Sequence, residues 1–238
     1  MKLNNKYFKG TLVKRYKRFF ADIILDDTNT LITAHCPNPG SMLGFSLDSS
    51  LKVWVALVES KTAKLKYRWD FIEQSDETLV GVNTMYPNKI VYEALLSNDI
   101  QELQQLTNIK PEYKYEQGVR FDFFANNSNQ DKILIEVKNV QMKRTDALAE
   151  FPDSITQRGT KHLEHLIHAQ QNGYKAYMLY LVQRNDIDSI AIAKDIDPKY
   201  HAAFLQAQNA GVQMLCYKCD ISLENIKLRT PIKINTSI

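Results

Sequence analysis

Arg120-Phe-Asp-Phe-Phe-Ala125, a polar turn, and then Ile133-Leu-Ile-Glu-Val-Lys138 form the stretch whose reading decides the fold. β-Branched and aromatic residues fill both runs, and Asn126, Asn127, Ser128 and Asn129 between them supply turn chemistry, so the spacing predicts a hairpin. Side chains alternate along a strand. Glu136 and Lys138 therefore share one face, Ile135 and Val137 take the other, and Arg120 and Asp122 share a face of the partner strand. An aspartate opposite Glu-x-Lys offers two hard oxygen ligands to Mg²⁺ or a similar ion, with an ammonium beside them. Phosphodiester hydrolysis uses those parts: a cation on carboxylates to activate water, and a lysine to orient it or to balance phosphate charge. The same three residues also make an ordinary ion cluster on a solvated sheet face, and spacing alone leaves both readings open.

Upstream of the hairpin, residues 88–96 place Ile90, Val91, Ala94 and Leu95 on one helical face, with Asn98-Asp99 as a stop. Glu93 on that helix offers a further carboxylate. Downstream, a helix expected from about 156 to 171 presents Arg158 and His162 at i, i+4 with Gln157 and Lys161 adjacent, while Leu163, Leu166 and Ile167 read as core. Strands at 112–117, 174–182, 189–192 and 212–217 and a helix near 198–210 complete an α/β unit with a mixed sheet. Residues 141–153 read as a polar, irregular and mobile connection.

Before about Asn83 the pattern is different. Short runs at 11–16, 18–25, 30–35, 51–59, 63–72 and 78–82 are separated by turn chemistry such as Asp26-Asp27-Thr28-Asn29, and predict a small barrel. A length of 238 residues suits one large or two modest domains, and the division expected is 1–82 and 83–238. With 44% hydrophobic and 24% charged residues and a mean hydropathy of -0.35, the chain is neither disordered nor membrane-like. It shows no apolar run of signal-peptide or spanning length, and three cysteines are too few for a disulfide framework, so a cytoplasmic chain with no membrane partner is expected.

The net charge of +3 conceals an uneven distribution, because seven Lys and Arg with no acidic residue occupy the first twenty positions and the other 218 residues carry a net -4. Lys14-Arg-Tyr16-Lys-Arg18-Phe-Phe20 mixes cations with aromatics, which suits phosphate neutralisation and base stacking and suits an ordinary charged strand face as well. Strand alternation keeps Lys14, Arg15, Lys17 and Arg18 from all sharing one face. The turn from Cys36 to Met42 offers backbone amides to a phosphate or closes the barrel. Cys216 and Cys219 have zinc-like spacing without a second pair, and His162, His165 and His168 drift around their helix, so neither set predicts a metal site.

Taken in order, Leu12-Val-Lys-Arg-Tyr-Lys-Arg-Phe19, His35-Cys-Pro-Asn38, Gly40-Ser-Met42, Gly81-Val-Asn-Thr84, Arg120-Phe-Asp-Phe123, Glu136-Val-Lys138, Phe151-Pro-Asp153 and Arg158-Gly159 followed by Lys161-His-Leu163 resemble the sugar fermentation stimulation protein A (SfsA) family along almost the whole chain. Pro39 and Gln141 stand where that family usually has threonine. The layout of helix, strand, strand with Asp and strand with Glu-x-Lys resembles the PD-(D/E)XK nuclease fold. These resemblances imply an α+β molecule with an N-terminal OB-fold-like barrel that binds DNA and a C-terminal nuclease-like α/β domain. They imply Asp122 and Glu136 as ligands of Mg²⁺ or Mn²⁺, Lys138 as catalytic lysine and Glu93 as an added acid. Lys14, Arg15, Tyr16, Lys17, Arg18, Arg158 and His162 are the residues expected to meet DNA. A nuclease fold also persists in proteins that only bind, so a non-enzymatic regulator of sugar (maltose-type) genes is the alternative, and the oligomeric state stays open, a homodimer included.

Overall fold

The computed structural model describes residues 1–47, 50–60 and 62–236. The N-terminal strands β1 (Tyr7–Tyr16), β2 (Phe20–Leu25), β3 (Leu31–His35), β4 (Lys52–Leu57), β5 (Tyr67–Glu73) and β6 (Leu79–Gly81) lie in the order β3-β2-β1-β4-β5-β6. A parallel pairing of β3 with β5 closes the first five into a barrel. Inward-pointing Leu12, Ile23, Ala34, Val53, Val55 and Trp69 fill it. β6 extends the sheet beyond the barrel as an added strand on β5.

Next come α1 (Tyr86–Leu96), β7 (Thr107–Glu116), β8 (Val119–Asn126), β9 (Lys132–Val140), β10 (Met142–Thr145), β11 (Ala147–Phe151) and α2 (Gln157–Gln171). The chain continues through β12 (Lys175–Val182), β13 (Ile187–Ile192), α3 (Pro198–Asn209), β14 (Gln213–Ile221), β15 (Ile226–Pro231) and β16 (Lys233–Asn235). A six-stranded mixed sheet runs β15-β14-β12-β9-β8-β7, with β9 and β12 parallel and β8 and β9 the expected hairpin. Alternation on β9 sends Ile133, Ile135 and Val137 toward α1 and Leu134 and Val140 toward α2 and α3, so the sheet carries a core on each face. α2 starts where Thr156 Oγ1 accepts the Gly159 N–H at 3.1 Å, and Leu163, Leu166 and Ala169 form its buried stripe.

One expectation is corrected here. Residues 141–153 are not an irregular mobile connection: they hold β10 and β11, and β11 pairs in parallel with β13 inside a second sheet ordered β10-β11-β13-β16. The polarity that suggested a loop belongs to an edge, where Arg144 binds Glu150 and Asp195 and Lys143 binds Asp186. The first three residues also leave the barrel, for the Met1 amine donates to the Ile226 carbonyl and the Leu3 N–H to that of Glu224.

Barrel and α/β unit meet through buried polar groups. Asp70 on β5 is fully buried and receives Arg68, Asn83, Tyr86 and Tyr7. Burial, followed by the Asp70 charge, pushes the Tyr7 phenol up to about 12. The Gly81 N–H donates to the Gln183 carbonyl at 2.9 Å, and a Cβ on Gly81 would stand 2.6 Å from Gln183 Oε1, so a larger residue would have to displace the Gln183 side chain.

Candidate functional site

The ladder between β8 and β9 runs inward only as far as Phe123 opposite Ile135, and the strands then part. Asp122, the first residue beyond the ladder, uses its carboxylate in place of a main-chain acceptor: Oδ2 takes the Val137 N–H at 2.7 Å, while Oδ1 takes Asn88 Nδ2 of α1 at 2.7 Å. Continued one step past the ladder, the register sets Asp122 opposite Glu136, and both line one cleft.

Glu136 sits on the central strand β9 and is 3% exposed. Its Oε1 accepts Lys138 Nζ at 2.5 Å and is in contact with His162 Nδ1 from α2, whereas its Oε2 is buried without a hydrogen-bond partner. Lys138 Nζ also lies 3.2 Å from His162 Nδ1, and Arg158 Nε lies 3.3 Å from His162 Nε2. Positions 158, 161, 162 and 165 on α2 repeat at i, i+3, i+4 and i+7, so Arg158, Lys161, His162 and His165 form one stripe along the cleft. The cleft encloses about 450 Å³, with Arg120, Asp122 and Glu136 on the sheet side.

The two carboxyls have been driven apart electrostatically. Burial, helped by the Glu136 charge, pushes Asp122 up to about 6 against the pull of the Val137 N–H, Lys138 and Asn88. Burial acts on Glu136 in the same direction, yet Lys138 and His162 outweigh it and hold that carboxyl below its usual range. A carboxylate ionised at neutral pH thus stands beside one poised to gain or lose a proton there.

Asp122, Glu136, Lys138, His162 and Arg158 are brought together, and Glu93 is not. Glu93 pairs with the Met1 amine at 2.7 Å and is about half exposed, at 53%. Asn88 is the α1 residue that reaches the site, and it was readable as a polar residue in register with the apolar stripe of Val91 and Leu95. Glu112, which also lines the cleft and pairs with Arg120 at 2.9 Å, carried no local signal. Among the described residues, no three His, Cys, Asp or Glu side chains gather into a metal-holding group.

At the barrel, Lys17 and Arg18 occupy the β1–β2 turn at φ 48° and 64° with exposed side chains, next to Phe19 at 45% exposure. Tyr16 stacks on Phe20, and Lys14 lies over the Tyr16 ring and 3.5 Å from Asp22. Arg15 is turned inward, where Nη2 donates to the carbonyls of Arg18, Asn38 and Gly40. Burial raises the thiols of Cys216 and Cys219, as for unreactive core cysteines.

Comparison with known proteins agrees with this architecture. A family model described as the sugar fermentation stimulation protein RE domain matches residues 85–225, and one described as the SfsA N-terminal OB domain matches residues 13–82. The chain belongs to the sugar fermentation stimulation protein family. The family member of Pelagibacter ubique is 44% identical over 98% of this chain and 99% of its own length. That of Caulobacter vibrioides is 42% identical over 96% and 94% respectively. A solved structure of Pyrococcus furiosus SfsA in complex with Ca²⁺ superimposes with a TM-score of 0.86 over 99% of both chains at 20% identity, a likeness of fold. No helix among the described residues of this family member is long and apolar enough to cross a membrane.

Proposed function

We propose that the chain binds DNA and hydrolyses its phosphodiester bonds with Mg²⁺ or Mn²⁺. On this reading residues 1–82 form the DNA-binding barrel and residues 83–238 a nuclease-like domain of the PD-(D/E)XK type. The observation that carries the proposal is Glu136 Oε2, buried without a donor beside the Asp122 carboxylate. An unsatisfied buried acceptor costs about 1–3 kcal/mol, more when charged, and a cation relieves that cost. The donors fit such an ion, since Mg²⁺ takes hard oxygens, needs only one or two carboxylates and keeps several waters. The Ca²⁺ complex of the Pyrococcus furiosus relative supports an oxygen-ligated divalent ion in this fold.

When bound, the ion would supply Lewis acidity and a more acidic water. Asp122 and Glu136 would hold it. Asn88 and the Val137 N–H fix the Asp122 carboxylate in orientation, and Lys138 places a positive charge against Glu136 and the phosphate. Arg158 and Lys161 line the approach for the flanking phosphates.

The test is cleavage of single-stranded, duplex and branched DNA by purified protein with Mg²⁺ or Mn²⁺ and with EDTA, beside Asp122→Ala and Glu136→Ala. Each substitution is expected to lower the rate by about 10²-fold or more. Cleavage unchanged in both variants overturns the assignment. DNA binding without cleavage under any metal makes the protein a binding module instead.

A further inference from the structure

A second recess lies where the barrel meets the α/β unit, and it lacks the cations that line the cleft of Asp122 and Glu136. The turn through Asn38, Pro39 and Gly40 forms one wall, and Asn139, Gln141 and Asp153 stand on the other. Its lining includes no lysine, arginine or histidine. An anionic phosphate finds no partner there, whereas a neutral ring with hydrogen-bonding edges does.

The recess is built rather than incidental. Asn38 is 3% exposed, its Oδ1 accepts the Gly40 N–H at 2.9 Å, and its Nδ2 is buried without a partner. Arg15 holds the turn in place through the Asn38 and Gly40 carbonyls, and Asp153 Oδ2 holds it from the other domain by accepting the Met42 N–H at 2.9 Å. A Cβ on Gly40 would come within 2.9 Å of Asp153 Oδ2 and 3.0 Å of Asn38 Oδ1, so glycine keeps the recess open between them. The volume is about 240 Å³. That is room for roughly eight waters at about 30 Å³ each, the scale of one nucleobase.

Its position links it to the candidate site. Thr84 lines both this recess and a neighbouring cleft, and that cleft shares Asp122 and Glu112 with the one bearing Glu136. The three pockets thus adjoin through shared lining residues, with Arg120, Arg158 and Lys161 among the carboxylates at the end bearing Glu136 and no cation in the lining at the domain junction.

We infer that the junction recess receives one unpaired nucleobase of a single DNA strand, one whose pairing edge sets a ring-nitrogen acceptor beside an amino group as in cytosine or adenine, with the backbone running toward the cleft lined by Arg120, Arg158 and Lys161. Asn38 Nδ2 supplies a donor for the ring nitrogen, and the Asp153 carboxylate accepts from the exocyclic amino group. Thymine lacks that amino group and offers Asp153, which already accepts the Met42 N–H, no further donor at that position. The inference rests on the proposed DNA phosphodiesterase reading and adds its substrate class: strands with an extrahelical or unpaired base.

Binding of labelled oligo(dC), oligo(dA) and oligo(dT) of equal length, measured in EDTA so that hydrolysis plays no part, tests this. Wild-type protein is expected to bind the dC and dA strands about fivefold or more tightly than dT. Asn38→Asp keeps the acceptor for Gly40 and removes the free donor, and is expected to bring the three within about twofold of one another. A scan of a single abasic residue along oligo(dC), with wild-type protein, should weaken binding and needs no variant to fold. Equal wild-type affinity for the three strands together with indifference to abasic sites overturns the inference. So does a base preference that survives in folded Asn38→Asp. Metal-dependent cleavage that persists alongside either outcome shows that only the recess is misassigned, while base preference without cleavage shows that only the catalytic reading has failed.

Discussion

Replacing Asp70 by alanine should destabilise the protein by about 3–5 kcal/mol, the range for removing one partner of a buried ion pair. Asp70 receives Arg68 Nε and Nη2 at 2.7 and 2.8 Å, the Tyr86 and Tyr7 hydroxyls at 2.6 and 3.0 Å and Asn83 Nδ2 at 2.9 Å. Hydrogen bonds to a charged group contribute about 1.5–3 kcal/mol each, but several are recoverable here. Tyr7 and Tyr86 are already 3.4 Å apart and can pair with each other, Arg68 also donates to Tyr86, and its side chain is 25% exposed and can draw water. The remaining loss corresponds to a drop in Tm of about 6–20 °C at roughly 2–4 °C per kcal/mol for a chain of this size. Because Asp70 lies in the barrel and Tyr86 opens α1, calorimetry should also show the unfolding transition broadening or splitting as the domains uncouple. A double-mutant cycle in urea with Tyr86→Phe isolates the contact, with an expected coupling of about 1–2 kcal/mol. A loss below about 1 kcal/mol in Asp70→Ala, or an equal cost of Tyr86→Phe in both backgrounds, refutes the reasoning.

Joint replacement of Lys17 and Arg18 by alanine should reduce the slope of log K for DNA against log salt by about 0.7–0.9 per residue, whereas Arg15→Ala should leave the slope alone and cost about 1–2 kcal/mol of stability in urea melts. Glu93→Gln should leave metal-dependent cleavage unchanged, since that carboxylate faces the Met1 amine; a loss like that of Asp122→Ala would place it in the site after all. Burial favours a raised pKa for Asp186, but Arg184 and Lys143 outweigh it and hold the group at about 2. Its stabilisation is therefore present above the unfolded value of about 3.9 and is lost as pH falls toward 2, so Asp186→Asn should flatten that acid limb by about 1–2 kcal/mol after allowance for solvent screening.

The features legible in the sequence are those set by local periodicity. The strand-rich opening, the β8–β9 hairpin and α2 with its apolar and polar stripes follow from alternation or from a 3.6-residue repeat, and the structure has them. What was not legible depends on partners far along the chain. Met142-Lys-Arg-Thr145 is polar because it forms an edge, and β11 is a strand because β13 lies beside it. Asp122 and Arg120 both line the cleft, but nothing local shows that the β8–β9 ladder ends at Phe123 and that the Asp122 carboxylate serves as the acceptor for Val137. Glu93 and Asn88 lie on one helix, and only the packing of α1 decides which of them reaches Asp122.

Charge separates counting from use most clearly. Of the seven cations in the first twenty residues, Lys9 is held by Glu73 at 2.5 Å, Arg15 is occupied by three carbonyls, and Lys14 stands beside Asp22. Only the turn residues Lys17 and Arg18 project together beside an exposed aromatic. The cations beside the carboxylates come from elsewhere in the chain: Lys138 on β9 is paired with Glu136 at 2.5 Å, and Arg158 and Lys161 on α2 line the same cleft. A near-neutral total is therefore no argument against a polyanion, because affinity depends on where unspent charge lies. The same reasoning applies to the adjoining pockets, where Arg120, Arg158 and Lys161 suit phosphates and the cation-free junction suits the neutral edges of bases. A nucleic acid strand carries both chemistries along its length, whereas a free phosphate or a sugar matches only one end.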